Sequence, residues 1–256
     1  MSNHTQLGDA QIYRSSCLAG GVAVVTGASS GIGRATAVAL ARQGMQVCVV
    51  GRNPGRLAET EAEARQFSLV TSFHIDLTVE EELQPLLRYL EAEAGRLDIL
   101  IHSAGVIHQA PLEQACIADF DRQYATNVRA PYLVTQRLLP WLTTVRGQIV
   151  FINSSVGLTA KRPEVGQYSA TKHALKAIAD SVREEVNAKG IRVLTVYLGR
   201  TATPMQEALY RQEGRPYHPE ALLQSEDVAT VVVQALMLPP TAEVTDITIR
   251  PMIKSS

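Results

Sequence analysis

The sequence has 256 residues, a formal net charge of −1 and three cysteines. The length suits one α/β domain with a large core, and the near-neutral charge gives no reason to expect nucleic acid or a membrane surface as a partner. Three cysteines without C-x-x-C spacing predict neither a disulfide framework nor a bound metal, and no apolar stretch is long enough to span a membrane.

The first residues of the chain differ from the rest in composition. Residues 1–17 are mostly polar and lack the apolar core of a signal peptide. We therefore expect a flexible leader there, a single domain over 18–256 and a cytoplasmic location.

A glycine-rich turn follows the first apolar segment. The valine-rich run at 22–25 is typical of a strand buried on both faces. The turn reads TGASSGIG, and apolar residues at helical spacing follow it over 34–43, ending at Gly44. Glycines at such a corner let a phosphate approach the backbone, and the helix N-terminus presents free N–H groups to it. The pattern therefore predicts a dinucleotide site.

Strands and helices alternate along the remaining chain. Predicted strands lie at 22–25, 47–50, 71–75, 97–101, 148–152, 193–197 and 244–249, and predicted helices at 34–43, 54–66, 78–94, 118–141, 167–189 and 225–238. Asn53, Thr78 and Ser225 are the expected N-caps, and 198–224 is expected to be irregular. The alternation predicts an α/β fold: a Rossmann-like doubly wound sheet of seven mainly parallel strands, with helices on both faces and the ligand at the carboxyl ends of the strands.

A tyrosine and a lysine lie four residues apart in the helix predicted for 167–189. Tyr168 and Lys172 share one helix face at this spacing. A nearby ammonium favours the phenolate, so we expect the pKa of Tyr168 to be lowered. The pair predicts a tyrosine that exchanges protons with a bound substrate.

The T-G-x-x-x-G-x-G turn and the Y-x-x-x-K pair together resemble the short-chain dehydrogenase/reductase family, over about residues 18–251. The resemblance implies hydride transfer between a nicotinamide cofactor and a carbonyl compound or secondary alcohol. It also implies roles for four residues. Tyr168 is the general acid or base, Lys172 lowers its pKa and binds the nicotinamide ribose, Ser155 stabilises the substrate oxygen from 13 residues before Tyr168, and Asn127 holds a relay water.

Pro131 supports the assignment of Asn127 on physical grounds. A proline lacks the N–H that would bond the carbonyl four residues earlier, and that carbonyl belongs to Asn127. The carbonyl is therefore expected to be free for a water.

The residue after the second predicted strand bears on the choice of cofactor. Many dinucleotide folds have there an acidic residue that binds the ribose hydroxyl. Here Arg52 follows Gly51, and a guanidinium can hold a 2′-phosphate. We therefore predict NADP(H), with Arg34 and Arg56 as possible helpers. A preference for NAD(H) stays open, because Ser30 stands where relatives often have a second basic residue.

The family pattern carries over to most of the expected cofactor site. The residues expected to bind the cofactor are Gly27, Ser29, Ser30, Gly31, Ile32, Gly33, Arg52, Asp76, Leu77, Ala104, Gly105, Asn127, Tyr168, Lys172, Gly199, Thr201 and Thr203. The sequence departs from the pattern at His102 and Ser103, at Leu198 and over 246–251, where many relatives have a glycine pair and an extension. We expect His102 to be a hydrogen-bonded structural residue.

The expected function is therefore that of an NADP(H)-dependent oxidoreductase. Its partner is a small-molecule carbonyl or alcohol substrate, 198–224 forms a substrate lid, and the long helices that hold Asn127 and Tyr168 pair in a homodimer or homotetramer. A protein that senses NADP(H) without turnover is the alternative from a different functional class.

Overall fold

The computed structural model describes residues 18–160 and 163–253, so the leader expected at 1–17 lies outside the described residues. Seven strands form one sheet in the order β3-β2-β1-β4-β5-β6-β7, and every neighbouring pair is parallel. The strands are β1 (Val22–Thr26), β2 (Gln46–Gly51), β3 (Val70–His74), β4 (Ile99–His102), β5 (Gln148–Ser154), β6 (Arg192–Leu198) and β7 (Asp246–Ile249). The predicted doubly wound sheet is confirmed, and its crevice opens between β1 and β4, where the strand order reverses.

Helices cover both faces of the sheet. They are α1 (Gly31–Arg42), α2 (Pro54–Ala64), α3 (Gln84–Tyr89), α4 (Ile117–Tyr124), α5 (Ala130–Val145), α6 (Gly166–Val186), α7 (Pro204–Gln212) and α8 (Ser225–Leu236). Apolar residues of α1, α2 and α8 form the core on one face, and those of α3, α5 and α6 form the core on the other. Val24 and Val25 of β1 point into opposite cores, as the two-residue period of a strand requires.

The start of α3 lies later than the predicted capping box, as Pro85 in the sequence predicts. The hydroxyl of Thr78 donates to Asp76 at 2.7 Å and caps no helix, so the predicted capping box is wrong. A 3₁₀ turn over Glu80–Leu83 precedes α3, and Pro85 lies in the first turn of that helix. Proline has no N–H to lose at that position, which explains the late start.

The helix predicted for 118–141 is interrupted. A π-helical turn over Ala125–Arg129 separates α4 from α5, and Pro131 lies in the first turn of α5. Because proline removes one hydrogen bond of the α-helical ladder, the backbone widens just before it. The interruption falls at Asn127.

The segment 198–224 is not wholly irregular. It contains α7, which begins because Thr203 accepts from the amide of Gln206 at 3.2 Å and Pro204 occupies the first turn. The predicted cap of α8 is also wrong. Gln224 is the N-cap, paired with Asp227, while the Ser225 hydroxyl donates to the Ala202 carbonyl at 3.3 Å.

None of the helices within 18–160 and 163–253 has both the length and the apolar character needed to cross a membrane.

Candidate active site

The glycine loop between β1 and α1 has a backbone that requires glycine at three places. Gly27 and Gly31 have φ of +66° and +52°. A Cβ on Gly27 would lie 2.7 Å from the Ala104 backbone, and one on Gly31 would lie 2.9 Å from Cγ2 of Thr203. A Cβ on Gly33 would lie 2.3 Å from the carbonyl oxygen of Gly27. The loop is thus held between the β4 turn and the start of α7.

The N-terminus of α1 is left open toward a cleft. Ser30 is the N-cap, but its side chain makes no capping hydrogen bond, and the first turn contains no acidic residue. The unpaired N–H groups and the positive end of the helix dipole suit an anion. The cleft has a volume of about 350 Å³, and the expected cofactor residues that line it are Gly27, Ser29, Ser30, Gly31, Ile32, Arg52, Asp76, Leu77, Ala104, Gly105 and Thr203.

Two arginines line the outer part of this cleft. Arg52 and Arg56 both contribute to its wall, close to Ser29 and Asn53. Arg34 does not, because its guanidinium bonds Glu59 and Glu63 on α2, at 3.2 and 2.9 Å. Of the two helpers expected for Arg52, only Arg56 therefore stands at the cleft.

Asp76 lies beside Arg52 at the end of β3. Burial raises the pKa of the Asp76 carboxyl, but hydrogen bonds from the amide and hydroxyl of Thr78 and the positive charge of Arg52 outweigh burial and lower it. The carboxylate is thus ionised and oriented by the turn that follows β3.

A second chamber of about 540 Å³ adjoins the cleft. Both are lined by Ile32, Ser103, Gly105, Thr203 and Met205, so they form one continuous crevice at the carboxyl ends of the strands. The expected site residues Ser155, Tyr168, Lys172, Gly199 and Thr201 line the chamber. Gly33 and Asn127 line neither part.

Lys172 is buried beneath this chamber. Its side chain is 5% exposed, and its Nζ donates to the Ile152 carbonyl at 3.1 Å. Burial disfavours the ammonium and lowers the pKa of Lys172 to about 8. An ammonium has three N–H donors, so two more are available toward a ligand.

Tyr168 stands one turn before Lys172 on α6, with Nζ of Lys172 5.8 Å from the centre of its ring. Burial raises the pKa of the Tyr168 phenol to about 12, and a hydrogen bond from Ser154 lowers it only in part. The expected lowering of this pKa is therefore wrong, because desolvation of the phenolate outweighs the hydrogen bond from Ser154.

The serine beside Tyr168 is Ser154 and not Ser155. The Ser154 side chain hydrogen-bonds the Tyr168 phenol, whereas Ser155 is exposed. The reason is local. Strand β5 extends two residues past its predicted end to Ser154, and Ser155, which begins the 3₁₀ turn that follows, is an exposed residue of the chamber wall. The serine that hydrogen-bonds the Tyr168 phenol is thus the residue before the one expected from the spacing.

Asn127 is 1% exposed and ties three segments together. Its Oδ1 accepts from the Val106 amide at 2.9 Å, and its Nδ2 donates to the Val106 carbonyl at 2.9 Å and to Oγ1 of Thr171 at 3.1 Å. Asn127 thereby fixes the loop after β4 against α6, next to Lys172.

His102 has the structural role expected for it. It is 3% exposed, stacks on Phe151 with ring centres 4.8 Å apart, and its Nε2 lies 2.8 Å from Oγ1 of Thr135. Burial lowers its pKa to about 3, so the ring is neutral.

The sequence reasoning missed several residues of the crevice. Asn53, Thr126 and Met205 line the cleft, and Arg200, Gln206 and Arg250 line the chamber. For Arg200 and Arg250 the sequence did offer an indication. Both follow predicted strands, at the edge where a doubly wound sheet binds its ligand. Nowhere in the described part of the chain do three or more His, Cys, Asp or Glu side chains gather as a metal site would require.

Comparison with known proteins agrees with this geometry. Residues 21–214 match the family model described as short chain dehydrogenase. The chain is 33% identical over 232 residues to an uncharacterized oxidoreductase of Staphylococcus epidermidis, covering 90% of this chain and 97% of that protein.

Two solved structures are also similar. An alcohol dehydrogenase from the archaeon Thermococcus sibiricus, complexed with 5-hydroxy-NADP, has a TM-score of 0.82 and 26% identity, and the match covers 92% of this chain and 98% of that one. A metagenomic short-chain oxidoreductase in complex with NADP has a TM-score of 0.79 and 28% identity, with 93% and 100% covered.

Proposed function

This chain belongs to the short-chain dehydrogenase/reductase family, and we propose that it transfers hydride between NADP(H) and a carbonyl compound or secondary alcohol. One observation carries the proposal. Tyr168, Lys172 and Ser154 line a chamber that is continuous with the cleft of the glycine loop. A reacting carbon in the chamber and a dinucleotide in the cleft would therefore be in contact.

The residues present fit a dinucleotide. The uncapped start of α1 and the close-packed glycines leave room and N–H donors for the diphosphate. Asp76 and Leu77 would contact the adenine, Ala104 and Gly105 would contact the middle of the cofactor, and Lys172 would bind the nicotinamide ribose. Gly199, Thr201 and Thr203 would border the nicotinamide.

Arg52 and Arg56 support a preference for NADP(H) over NAD(H). Both line the outer cleft, and a guanidinium pairs with a phosphate through parallel charge-assisted hydrogen bonds. Two similar structures, at 26% and 28% identity, are complexed with NADP or 5-hydroxy-NADP. The arginine pair would bind the 2′-phosphate that distinguishes the two cofactors.

The bound cofactor supplies the hydride. In reduction, Tyr168 gives its proton to the carbonyl oxygen, and its raised pKa keeps the phenol protonated at neutral pH. With a substrate bound, Ser154 would donate its one hydroxyl proton to the same substrate oxygen instead of to the phenol, the role expected of Ser155. Asn127 fixes the loop at Val106 and holds, through its backbone carbonyl, the water that returns a proton to Lys172 and Tyr168.

We propose that 198–224 covers the chamber as a lid. Its α7 begins at Thr203 against the glycine loop, and Nε2 of Gln212 donates to the carbonyl of Gln109 at 3.2 Å, which links α7 to the loop after β4.

We also propose a homodimer or homotetramer built on α4, α5 and α6. Tyr124 and Tyr132 on α4 and α5 are 51% and 53% exposed, as expected of side chains that a second copy covers. A monomer mass by light scattering at micromolar concentration would contradict this. The proposed compartment is the cytoplasm, where the reduced NADP pool favours reduction.

The test is NADPH consumption over a panel of ketones, oxo acids, keto esters and sugars, with NADPH and NADH binding measured in parallel. We expect NADPH binding and turnover of at least one carbonyl class. Binding of NADPH with no turnover on any class would favour the sensor over the enzyme.

A further inference from the structure

The chamber beside Tyr168 has two arginines at its edge, and both follow a strand end. Leu198 of β6 pairs in register with Ser154 on one side and with Ile249 of β7 on the other. Arg200 and Arg250 follow these two strands and line the chamber. Two strand spacings amount to roughly 10 Å, so Arg250 leaves the sheet about that far from Ser154.

The segment that carries Arg250 is held against β6. The Gly199 amide donates to the Ile249 carbonyl at 2.8 Å. A Cβ on Gly199 would lie 3.2 Å from Cα of Arg250 and 2.9 Å from Cδ of Pro251. Because Gly199 has no side chain, residues 250–253 pass close to the strand end and become a wall of the chamber. This segment is also where the sequence departs from the family pattern.

The charged side chains of this wall are all basic. Nη1 of Arg200 donates to the Tyr210 hydroxyl at 3.0 Å, and its guanidinium lies over the Tyr210 ring, which orients the group. Arg250 is exposed and forms no ion pair with any residue described here. Among the described residues that line the chamber, none is acidic. Such a wall raises the local concentration of anions.

The remaining lining limits the shape of the substrate. Val106 and Ile107 of the loop after β4, and Met205 and Leu209 of α7, give the chamber an apolar lining besides the two arginines. An apolar body with a charged end would satisfy both parts of the chamber.

We propose that the substrate carries an anionic group, a carboxylate or a phosphate, in addition to its reacting carbon, and that Arg250 binds this group together with Arg200. The guanidinium fork matches both oxyanions. This inference rests on the proposed function and adds to it a substrate class and a residue that determines specificity.

The test compares linear oxo carboxylates of increasing length with their methyl esters and with the corresponding oxoalkyl phosphates, using the full-length protein and NADPH. We expect kcat/KM for one anionic series to exceed that of the esters by at least about tenfold. The anion with the larger preference, carboxylate or phosphate, identifies the bound group.

Substitution of Arg250 tests whether this residue causes the preference for the anion over the ester. Arg250→Ala should lower the ratio of anion to ester about tenfold, mainly through KM. Arg250→Lys should keep part of it because the charge remains. The control is Arg88→Ala, since Arg88 is an exposed arginine of α3 that lines neither part of the crevice, and this variant should keep the wild-type ratio.

Two outcomes would overturn the inference. One is turnover of the esters as efficient as that of both anions in the wild type, and the other is an unchanged ratio in Arg250→Ala. Neither outcome would contradict the proposed oxidoreductase activity, because ester turnover and NADPH binding test that activity separately. Absence of turnover on every compound would contradict the proposed function together with this inference.

Discussion

The side chain of Ser154 hydrogen-bonds the phenol of Tyr168, and its neighbour Ser155 is exposed to solvent. Both serines line the chamber, but Ser154 is the one that contacts Tyr168. We therefore expect Ser154 to donate to an oxygen that Tyr168 also contacts, and Ser155 is its matched comparison.

Substitution of the two serines should therefore have unequal effects. Ser154→Ala removes a donor at the developing alkoxide and should lower kcat about 10²- to 10³-fold. Ser155→Ala should change kcat by no more than about twofold, as expected of an exposed side chain. Steady-state kinetics on one good substrate checks both. A larger loss in Ser155→Ala would return the catalytic role to the serine expected from the spacing.

Tyr168→Phe keeps the aromatic ring and removes the hydroxyl group that donates the proton. We expect turnover to fall about 10²- to 10⁴-fold while NADPH binding is retained, because the glycine loop and Lys172 are intact. Lys172→Ala should reduce both turnover and NADPH binding, since the same ammonium binds the cofactor and takes part in the proton relay. The measurement pairs an NADPH titration with turnover on each variant. Near wild-type turnover of Tyr168→Phe would show that another group moves the proton.

Arg52→Ala tests the preference for NADP(H). Loss of one charge-assisted contact should raise the Kd of NADPH about 10- to 100-fold and leave that of NADH nearly constant. Arg34→Ala is the control, because Arg34 bonds Glu59 and Glu63 and does not line the cleft. Equal dissociation constants of NADPH and NADH in the wild type would contradict the proposal.

Cofactor affinity should weaken as pH rises through the pKa of Lys172. Burial lowers this pKa to about 8, so the lysine is charged below that pH and loses its proton above it. NADPH Kd should therefore rise between about pH 7 and 9.5, while Tyr168, with a pKa of about 12, stays protonated. Calorimetry over this range should also detect proton uptake on binding. In Lys172→Met the Kd should be weak and independent of pH.

His102 should make the fold sensitive to acid. Burial lowers its pKa from 6.5 to about 3, so between these values the unfolded chain binds a proton that the folded chain does not. Stability is thus lost as pH falls below 6.5, by up to about 1.4 kcal/mol per pH unit from this group. His102→Asn cannot be protonated in this range. Denaturant unfolding at pH 7 and 5 should show a loss roughly 2 kcal/mol smaller in the variant.

The sequence determined the parts of this protein that depend on local patterns. Valine-rich strands, the TGASSGIG turn and the cap at Asn53 specify their own conformations. Asn53 accepts from the Arg56 amide at 2.9 Å, as the Asn-Pro pair predicts. The alternation of strands with helices then predicts a parallel sheet with helices on its faces. The four-residue spacing of Tyr168 and Lys172 likewise fixes their shared helix face.

Only the tertiary structure decided which side chains meet in the crevice and how burial shifts their pKa values. Ser154, and not Ser155, hydrogen-bonds Tyr168 where pairing with β6 extends β5, and the Tyr168 pKa rises because distant segments bury the phenol. Arg250 joins the chamber because Gly199 lets another strand's end pass close by. These outcomes depend on contacts between residues far apart in sequence, and on desolvation that no local pattern encodes.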